Sequence, residues 1–325
     1  MTSPNNWMCV HPPNAKSSQS QTTASLDNRG LAYGDGFFTT MGVIDGQILW
    51  LDYHQQRLDS HASSLHLDLD SQLLLVALQT HAEQLQQGML KLIVSRAAQD
   101  IGGYGYTPSA SGSACEIWLK SSTMIVSTAE QLRLSDDRLV PMQPVSTAVC
   151  LSSQLACLPP PLAGLKSLNR LDNVLASGEL QAIKAHALAS NAGLDNASIG
   201  EGLLRDMSGR WVEGTMSNVF YQLSDSQLLE PQSSQFDSLL DLNKHDSNYL
   251  TQGQWYTPSM AQSGVAGVMR QVIIDALSTS KNPVIIRSLK DEDLPRLKQL
   301  FFCNALRGVM PMKRLTLLSG EVIGF

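Results

Sequence analysis

Hydrophobic residues recur at two different spacings along this chain, and the alternation lays out its elements. Residues 47–51, 90–95 and 116–120 are short runs rich in β-branched and aliphatic side chains and predict strands. Residues 52–65 and 71–87 place their apolar positions at helical spacing. The first part therefore reads as α/β. Pro159-Pro160-Pro161 can continue neither a helix nor a central strand, and it predicts a rigid segment leading into a second α/β region. There a helix is expected over 168–189, and strands over 200–205 and 218–223 bracket the turn pair Ser208-Gly209 as a hairpin. A further helix is expected over 265–277, behind Ser263-Gly264, with late strands over 284–289 and 300–303. The polar stretch 232–253 reads as a surface insertion.

Length turns this pattern into a domain plan. At 325 residues the chain is about twice the usual domain size, so two domains are expected: a flexible segment over 1–26, an N-terminal α/β domain over 27–128 and a C-terminal domain over 129–325. A 43% hydrophobic, 16% charged composition supports a buried core. The net charge of -6, with no Lys/Arg-rich run, argues against nucleic acid as a partner. Five scattered cysteines without a Cys-x-x-Cys pair suggest a reducing cytoplasm and no structural metal. Residues 1–25 lack the basic flank and apolar core of a signal peptide, and no apolar stretch reaches the roughly 18 residues of a membrane span, so a cytoplasmic protein is expected.

No phosphate loop, nucleophile elbow or zinc-protease helix is present, and four weaker pieces carry the chemistry. Lys166 lies in the apolar lead-in to a helix, where desolvation would make its amine nucleophilic, or where it simply snorkels. Glu213 sits between strand-like residues and the small-residue turn Gly214-Thr215-Met216-Ser217-Asn218. It could pair with a protonated ring nitrogen, or be an ordinary strand-end acid. Ser263-Gly264-Val265-Ala266-Gly267 enters a helix whose free N–H groups suit a phosphate, or it is only a cap. Arg57, in His54-Gln55-Gln56-Arg57-Leu58, could give two hydrogen bonds to one phosphate, or be a solvated helical arginine.

In this order and spacing, together with Asp27-Asn28-Arg29-Gly30-Leu31-Ala32-Tyr33-Gly34-Asp35-Gly36-Phe37-Phe38-Thr39-Thr40 and Phe302-Cys303-Asn304-Ala305-Leu306, the four pieces resemble the fold-type IV pyridoxal-phosphate (PLP) enzymes, the branched-chain aminotransferase-like class. The resemblance covers all but the first 25 or so residues and the polar insertion. It implies an α/β fold with a smaller N-terminal domain, a larger C-terminal domain built around a barrel-like sheet, PLP in an interdomain cleft, and a homodimer. It also implies residue roles. Lys166 forms the imine with PLP, Glu213 pairs with the pyridine nitrogen, and Arg57, Ser217, Asn218, Val265 and Ala266 surround the phosphate, Ala266 through its backbone N–H.

Within that class the stretch Lys166-Ser167-Leu168-Asn169-Arg170-Leu171-Asp172 is similar to the aminodeoxychorismate lyases, as is Gly264-Val265-Ala266-Gly267-Val268-Met269-Arg270-Gln271. The Glu213 motif is equally at home in D-amino acid aminotransferases. Two positions depart from many lyases: Tyr104 stands where they carry arginine in a Gly-Gly-Arg-Gly-Tyr turn, and Gly42 where some carry another. The lyase resemblance implies 4-amino-4-deoxychorismate as the small-molecule substrate, with pyruvate and 4-aminobenzoate, the precursor needed for folate, as products. Lys166 would be the general base, and Thr40 would assist at the leaving group. Two alternatives remain at this point: an aminotransferase acting on a D- or branched-chain amino acid, and a catalytically silent PLP-binding relative.

Overall fold

The computed structural model describes residues 7–10, 23–108, 114–126, 130–134, 138–189, 199–224, 249–250 and 252–325, so most of the expected polar insertion lies outside the described residues. They group into two compact units: Met1–Val126 with Leu165–Arg170, and Ser127–Gly164 with Leu171–Phe325.

The first unit runs β1 (Trp7–Cys9), α1 (Arg29–Tyr33), β2 (Gly36–Ile44), β3 (Gln47–Ile48), α2 (Leu51–Ser64), α3 (Ser71–Leu85), β4 (Gly88–Arg96) and β5 (Cys115–Thr123). Its sheet has the order β1-β5-β4-β2-β3. Trp7–Cys9 falls in the segment expected to be flexible, yet it pairs antiparallel with 118–120 and buries Cys9. The period-2 geometry of the strands sends Phe37, Met41 and Val43 of β2, Leu90, Leu92 and Val94 of β4, and Ile117 and Leu119 of β5 into one core. Against that face pack Leu58 and Ala62 of α2 and Leu74, Leu75, Leu78 and Ala82 of α3. Each buried valine, leucine, isoleucine, methionine or phenylalanine among them contributes about 1.5–3 kcal/mol. Asp70 caps α3 by accepting the Leu73 N–H at 3.0 Å.

The short segment containing Lys166 pairs with the free edge of β2. Phe38 N–H donates to the Lys166 carbonyl and Leu168 N–H to the Gly36 carbonyl, each at 3.0 Å, with Phe37 opposite Ser167. These contacts make Leu165–Arg170 part of the first unit, although the residues on either side of it in sequence belong to the second.

The second unit contains β6 (Glu130–Arg133), β7 (Leu139–Met142), β8 (Ser146–Leu155), α4 (Leu171–Ala189), β9 (Ile199–Asp206), β10 (Trp211–Gly214), β11 (Asn218–Leu223), β12 (Tyr256–Thr257), α5 (Val268–Leu277), β13 (Ile285–Ile286), a 3-10 turn (Asp291–Arg296), β14 (Leu297–Asn304), β15 (Gly308–Thr316) and β16 (Val322–Gly324). Six strands close on themselves: β8 pairs β9, then β10, β11, β14 and β15 follow, and β15 returns to β8. This is the barrel-like sheet. Closure removes open edges from those strands. One face carries Ala148, Cys150, Leu203, Val219, Tyr221, Phe302 and Met310, and the other packs Val149, Leu151 and Leu204 against Ala176 and Leu180 of α4.

The expected hairpin differs in its second arm. The Ser208-Gly209 turn forms, with Gly209 N–H on the Asp206 carbonyl at 2.9 Å, but it leads from β9 into β10 rather than into 218–223. The four-residue strand Trp211–Gly214 holds an acid and a glycine, so it shows no alternation to read in the sequence. The helix expected from 265 starts at Val268, because Val265 first bridges Gly164 in extended conformation. Among the described residues no helix is long and apolar enough to cross a membrane.

Candidate functional site

In the first unit the candidate residues Lys166, Arg57 and Thr40 gather around β2 and α2. Residues His54, Arg57, Leu58, His61 and Ala62 form the buried stripe of α2 at the i, i+3, i+4, i+7, i+8 spacing of one helix face. Three of these five are polar, so they need partners. Arg57 donates to Thr39 Oγ1 at 3.4 Å. That hydroxyl also lies 2.9 Å from His54 Nδ1 and shares a hydrogen bond with it. Nε2 is buried without a hydrogen-bond partner among the described residues. Burial, with help from the charges of Arg57 and Lys166, drives the His54 pKa well below the usual imidazole value. Burial also draws Arg57 down to about 10, which leaves it a cation at neutral pH.

Lys166 presents its Nζ 4.6 Å from the Phe38 ring centroid. Its backbone N–H donates to His61 Nε2 at 2.9 Å. On β2, Thr39 faces the helices, whereas Phe38 and Thr40 face the opposite side of the sheet. Thr40 pairs across the sheet with Lys91, whose Nζ lies 5.5 Å from the same Phe38 ring. Lys166 and Lys91 therefore share one aromatic neighbour, and Thr40 sits beside it.

The loop that bears Tyr104 is held by arginines of the same unit. Arg29 and Arg96 both donate to Asp35 Oδ2, at 2.9 and 3.0 Å, and Arg29 reaches on to the carbonyls of Gly103 and Tyr104 at 3.3 Å. Tyr104 itself is exposed and tilts against Tyr33 at a centroid distance of 5.3 Å.

The second unit brings together Glu213, Ser217, Asn218, Val265 and Ala266. A β-bulge in β10 sets Trp211 opposite Arg205 and Glu213 opposite Leu204, which re-aims the acid. Glu213 is buried, and its carboxylate accepts from Val265 N–H at 2.8 Å, Asn173 Nδ2 at 3.4 Å and Asn218 Nδ2 at 3.5 Å. Gly264 makes this approach possible: its φ is +76°, and a Cβ there would lie 2.9 Å from Glu213 Oε2. A Cβ on Gly267 would collide with Asn218 Oδ1.

The turn after Glu213 is organised by a second buried carboxylate. Glu201 Oε1 accepts from Thr215 N–H (3.1 Å) and Thr215 Oγ1 (2.6 Å), and Oε2 accepts from Ser217 Oγ (2.6 Å). Ser217 thus spends its hydroxyl proton inside the turn, and the group it can offer an anion is its backbone N–H. Asn218 likewise donates to the Val265 carbonyl at 2.8 Å. The Val265 N–H goes to Glu213, and the Ala266 N–H to the Gly164 carbonyl at 2.9 Å. In this arrangement both N–H groups expected to face a phosphate are committed within the unit. The α5 N-cap, Gly267, makes no side-chain capping bond, so the first turn of α5 supplies further N–H groups.

The donor sets fit PLP. A buried carboxylate fed by neutral N–H groups suits a protonated pyridine nitrogen, and a buried guanidinium beside an imidazole nitrogen that has no partner among the described residues suits an oxygen-rich anion. His54, His61, Thr39, Lys91, Asn173 and Glu201 were not singled out from the sequence. The only signals for the first three were helical spacing around Arg57 and alternation along β2.

The amino-transferase class IV family pattern matches residues 36–315. Aminodeoxychorismate lyase from Vibrio harveyi is 24% identical over 297 residues, which cover 90% of this chain and 87% of that protein. The crystal structure of 4-amino-4-deoxychorismate lyase from Pseudomonas aeruginosa superposes with a TM-score of 0.65 at 29% identity, covering 91% of this chain and 88% of that one. That of the Escherichia coli branched-chain amino acid aminotransferase gives 0.64 at 16% identity, covering 98% and 88%, a likeness of fold alone. The same architecture is thus shared with proteins of two different activities.

Proposed function

The chain belongs to the amino-transferase class IV family, whose enzymes depend on PLP, and from this premise we propose that it is a PLP-dependent 4-amino-4-deoxychorismate lyase releasing pyruvate and 4-aminobenzoate. The observation that carries the reading is the presentation of Lys166. Its peptide is fixed on both sides, by His61 and Phe38, and its amine stands over an aromatic ring beside Thr40 and Lys91. Similarity to the two lyases, at 24% and 29% identity, is consistent with this activity.

When bound, PLP supplies an electron sink for the electrons of a broken C–H bond. The chain's own residues do the rest. Lys166 is the lysine that holds the cofactor, and its Nζ then accepts the proton from C4 of the substrate. Glu213 keeps a proton on the ring nitrogen, with Asn173, Asn218 and the Val265 N–H holding the carboxylate in place. Arg57, the backbone of the Ser217-Asn218 turn and the first turn of α5, just after Val265 and Ala266, are the groups proposed for the phosphate. Thr40 donates to the departing enolpyruvyl oxygen, and Lys91 offers a cation to a substrate carboxylate.

The test is an absorption spectrum of the purified protein beside Lys166→Ala, then an assay with enzymatically generated aminodeoxychorismate. We expect a yellow wild type, an altered chromophore in the variant, stoichiometric pyruvate and 4-aminobenzoate, and a loss of at least about 10²-fold in turnover for the variant. Yellow protein that releases no pyruvate but bleaches with D-alanine would replace the lyase by an aminotransferase. Protein that never takes up PLP would overturn the proposal.

A further inference from the structure

His61 takes no part in the chemical steps proposed above, yet it is the side chain joined directly to the peptide of Lys166. It is 4% exposed and meets Phe37 edge-on, with ring centroids 5.3 Å apart. Its Nε2 accepts the Lys166 N–H at 2.9 Å, so the ring proton belongs on Nδ1, which lies 3.2 Å from Ser60 Oγ. Ser60 in turn donates to the Arg57 carbonyl at 3.1 Å, closing a relay along one turn of α2. On the far side of the same peptide, Phe38 N–H holds the Lys166 carbonyl at 3.0 Å.

We propose that His61 is a positioning residue, whose neutral ring fixes the Lys166 peptide and so aims the amine that the four-carbon stem would otherwise let wander. The inference rests on the reading of Lys166 as the PLP-holding lysine. Burial first, and then the charges of Arg57, Arg170 and Lys166, keep the ring neutral so that Nε2 remains an acceptor. A lysine whose N–H and C=O are both fixed loses only side-chain freedom on reaching its target, whereas a displacement of about 1 Å at a reacting group can cost as much as about 10²-fold.

His61→Phe keeps the edge-on packing and removes the acceptor, while His61→Gln returns an oxygen near the position of Nε2. In the apoprotein, amide exchange at Lys166 should quicken by roughly 5- to 10-fold in the phenylalanine variant and recover in the glutamine variant. On mixing with PLP, the yellow band should form more slowly by a similar factor in His61→Phe and within about twofold of wild type in His61→Gln. In the wild type, nitrogen NMR should show Nδ1 protonated and Nε2 bare. Exchange and imine formation at wild-type rates in His61→Phe would overturn the inference. So would the opposite tautomer, which decides the matter even if that variant fails to fold. Borohydride reduction and peptide mapping separate the two claims: an adduct on another lysine sinks the role of Lys166, while amide exchange in the apoprotein still reports the His61 contact.

Discussion

Two buried imidazoles beside Arg57 and Lys166 make the acid response of this protein a matter of single residues. His61 is held neutral down to about 3, chiefly by burial and then by the charges of Arg57, Arg170 and Lys166, against an ordinary value of 6.5. His54 is shifted the same way. Between 6.5 and about 3 the unfolded chain takes up protons that the folded chain refuses, so stability is complete above 6.5 and is lost as the pH falls through that window. Asp206 adds to the loss only lower down: held by Ser208, Ser263 and Arg210, its pKa lies at about 2 against 3.8, so its contribution is present above 3.8 and disappears on further acidification. The resistance of the wild type to urea should therefore weaken as the pH drops below 6.5, and His61→Gln should flatten part of that dependence while His54 retains the rest. Parallel pH profiles for the two proteins would show that His61 does not resist protonation. None of this was visible in the sequence, where a histidine four residues after Arg57 reads as one more polar helix position.

At the scale of elements, legibility followed the source of each element's order. Helices α2 and α3 stand within two residues of their expected limits, because periodicity and the Asp70 cap are local signals. Strand β8, in contrast, was not foreseen: Ser146–Leu155 holds a continuous buried run closed into the barrel by β15 and β9, and those pairings are remote in sequence. The buried stripe of α2 was legible as a face, but the reason that three of its five residues are polar lies in Thr39 and Lys166 being brought to it. The same holds for the turn between β10 and β11. Its sequence displayed small residues, but the device that shapes it is Glu201, a carboxylate on β9, the strand that pairs with β10. Glu201→Gln keeps the volume but removes the charge and leaves one acceptor oxygen, so either Ser217 Oγ must reverse and accept from the amide or the Thr215 N–H loses its acceptor. We expect a loss of about 1–3 kcal/mol in unfolding free energy and weaker PLP uptake. Unchanged denaturation and PLP titration curves would show that the turn holds without the carboxylate.

For the molecule as a whole, the least legible feature is the path of the chain through its two units. Reading along the sequence set Lys166 after the domain break, in 129–325, and beyond the rigid Pro159-Pro160-Pro161 segment. The structure instead groups Leu165–Arg170 with Met1–Val126, through backbone pairing to β2, the His61 contact and Asn169 Nδ2 on the Gly34 carbonyl at 3.2 Å. Such pairing spans more than a hundred residues of chain, so no window of hydrophobicity contains it. It also means that a fragment ending at Val126 lacks a strand-like piece of its own unit and leaves the N–H of Phe38 and the carbonyl of Gly36 without their partners. A synthetic peptide covering 160–172 should therefore bind that fragment and raise its thermal midpoint; at a concentration 100 times the dissociation constant the gain would be about 2.7 kcal/mol. The same peptide carrying Leu168→Pro cannot donate to Gly36 and should stabilise much less. Equal effects from both peptides would mean that association is nonspecific. No effect from either would mean that the segment owes its place to the rest of the chain rather than to the edge of β2.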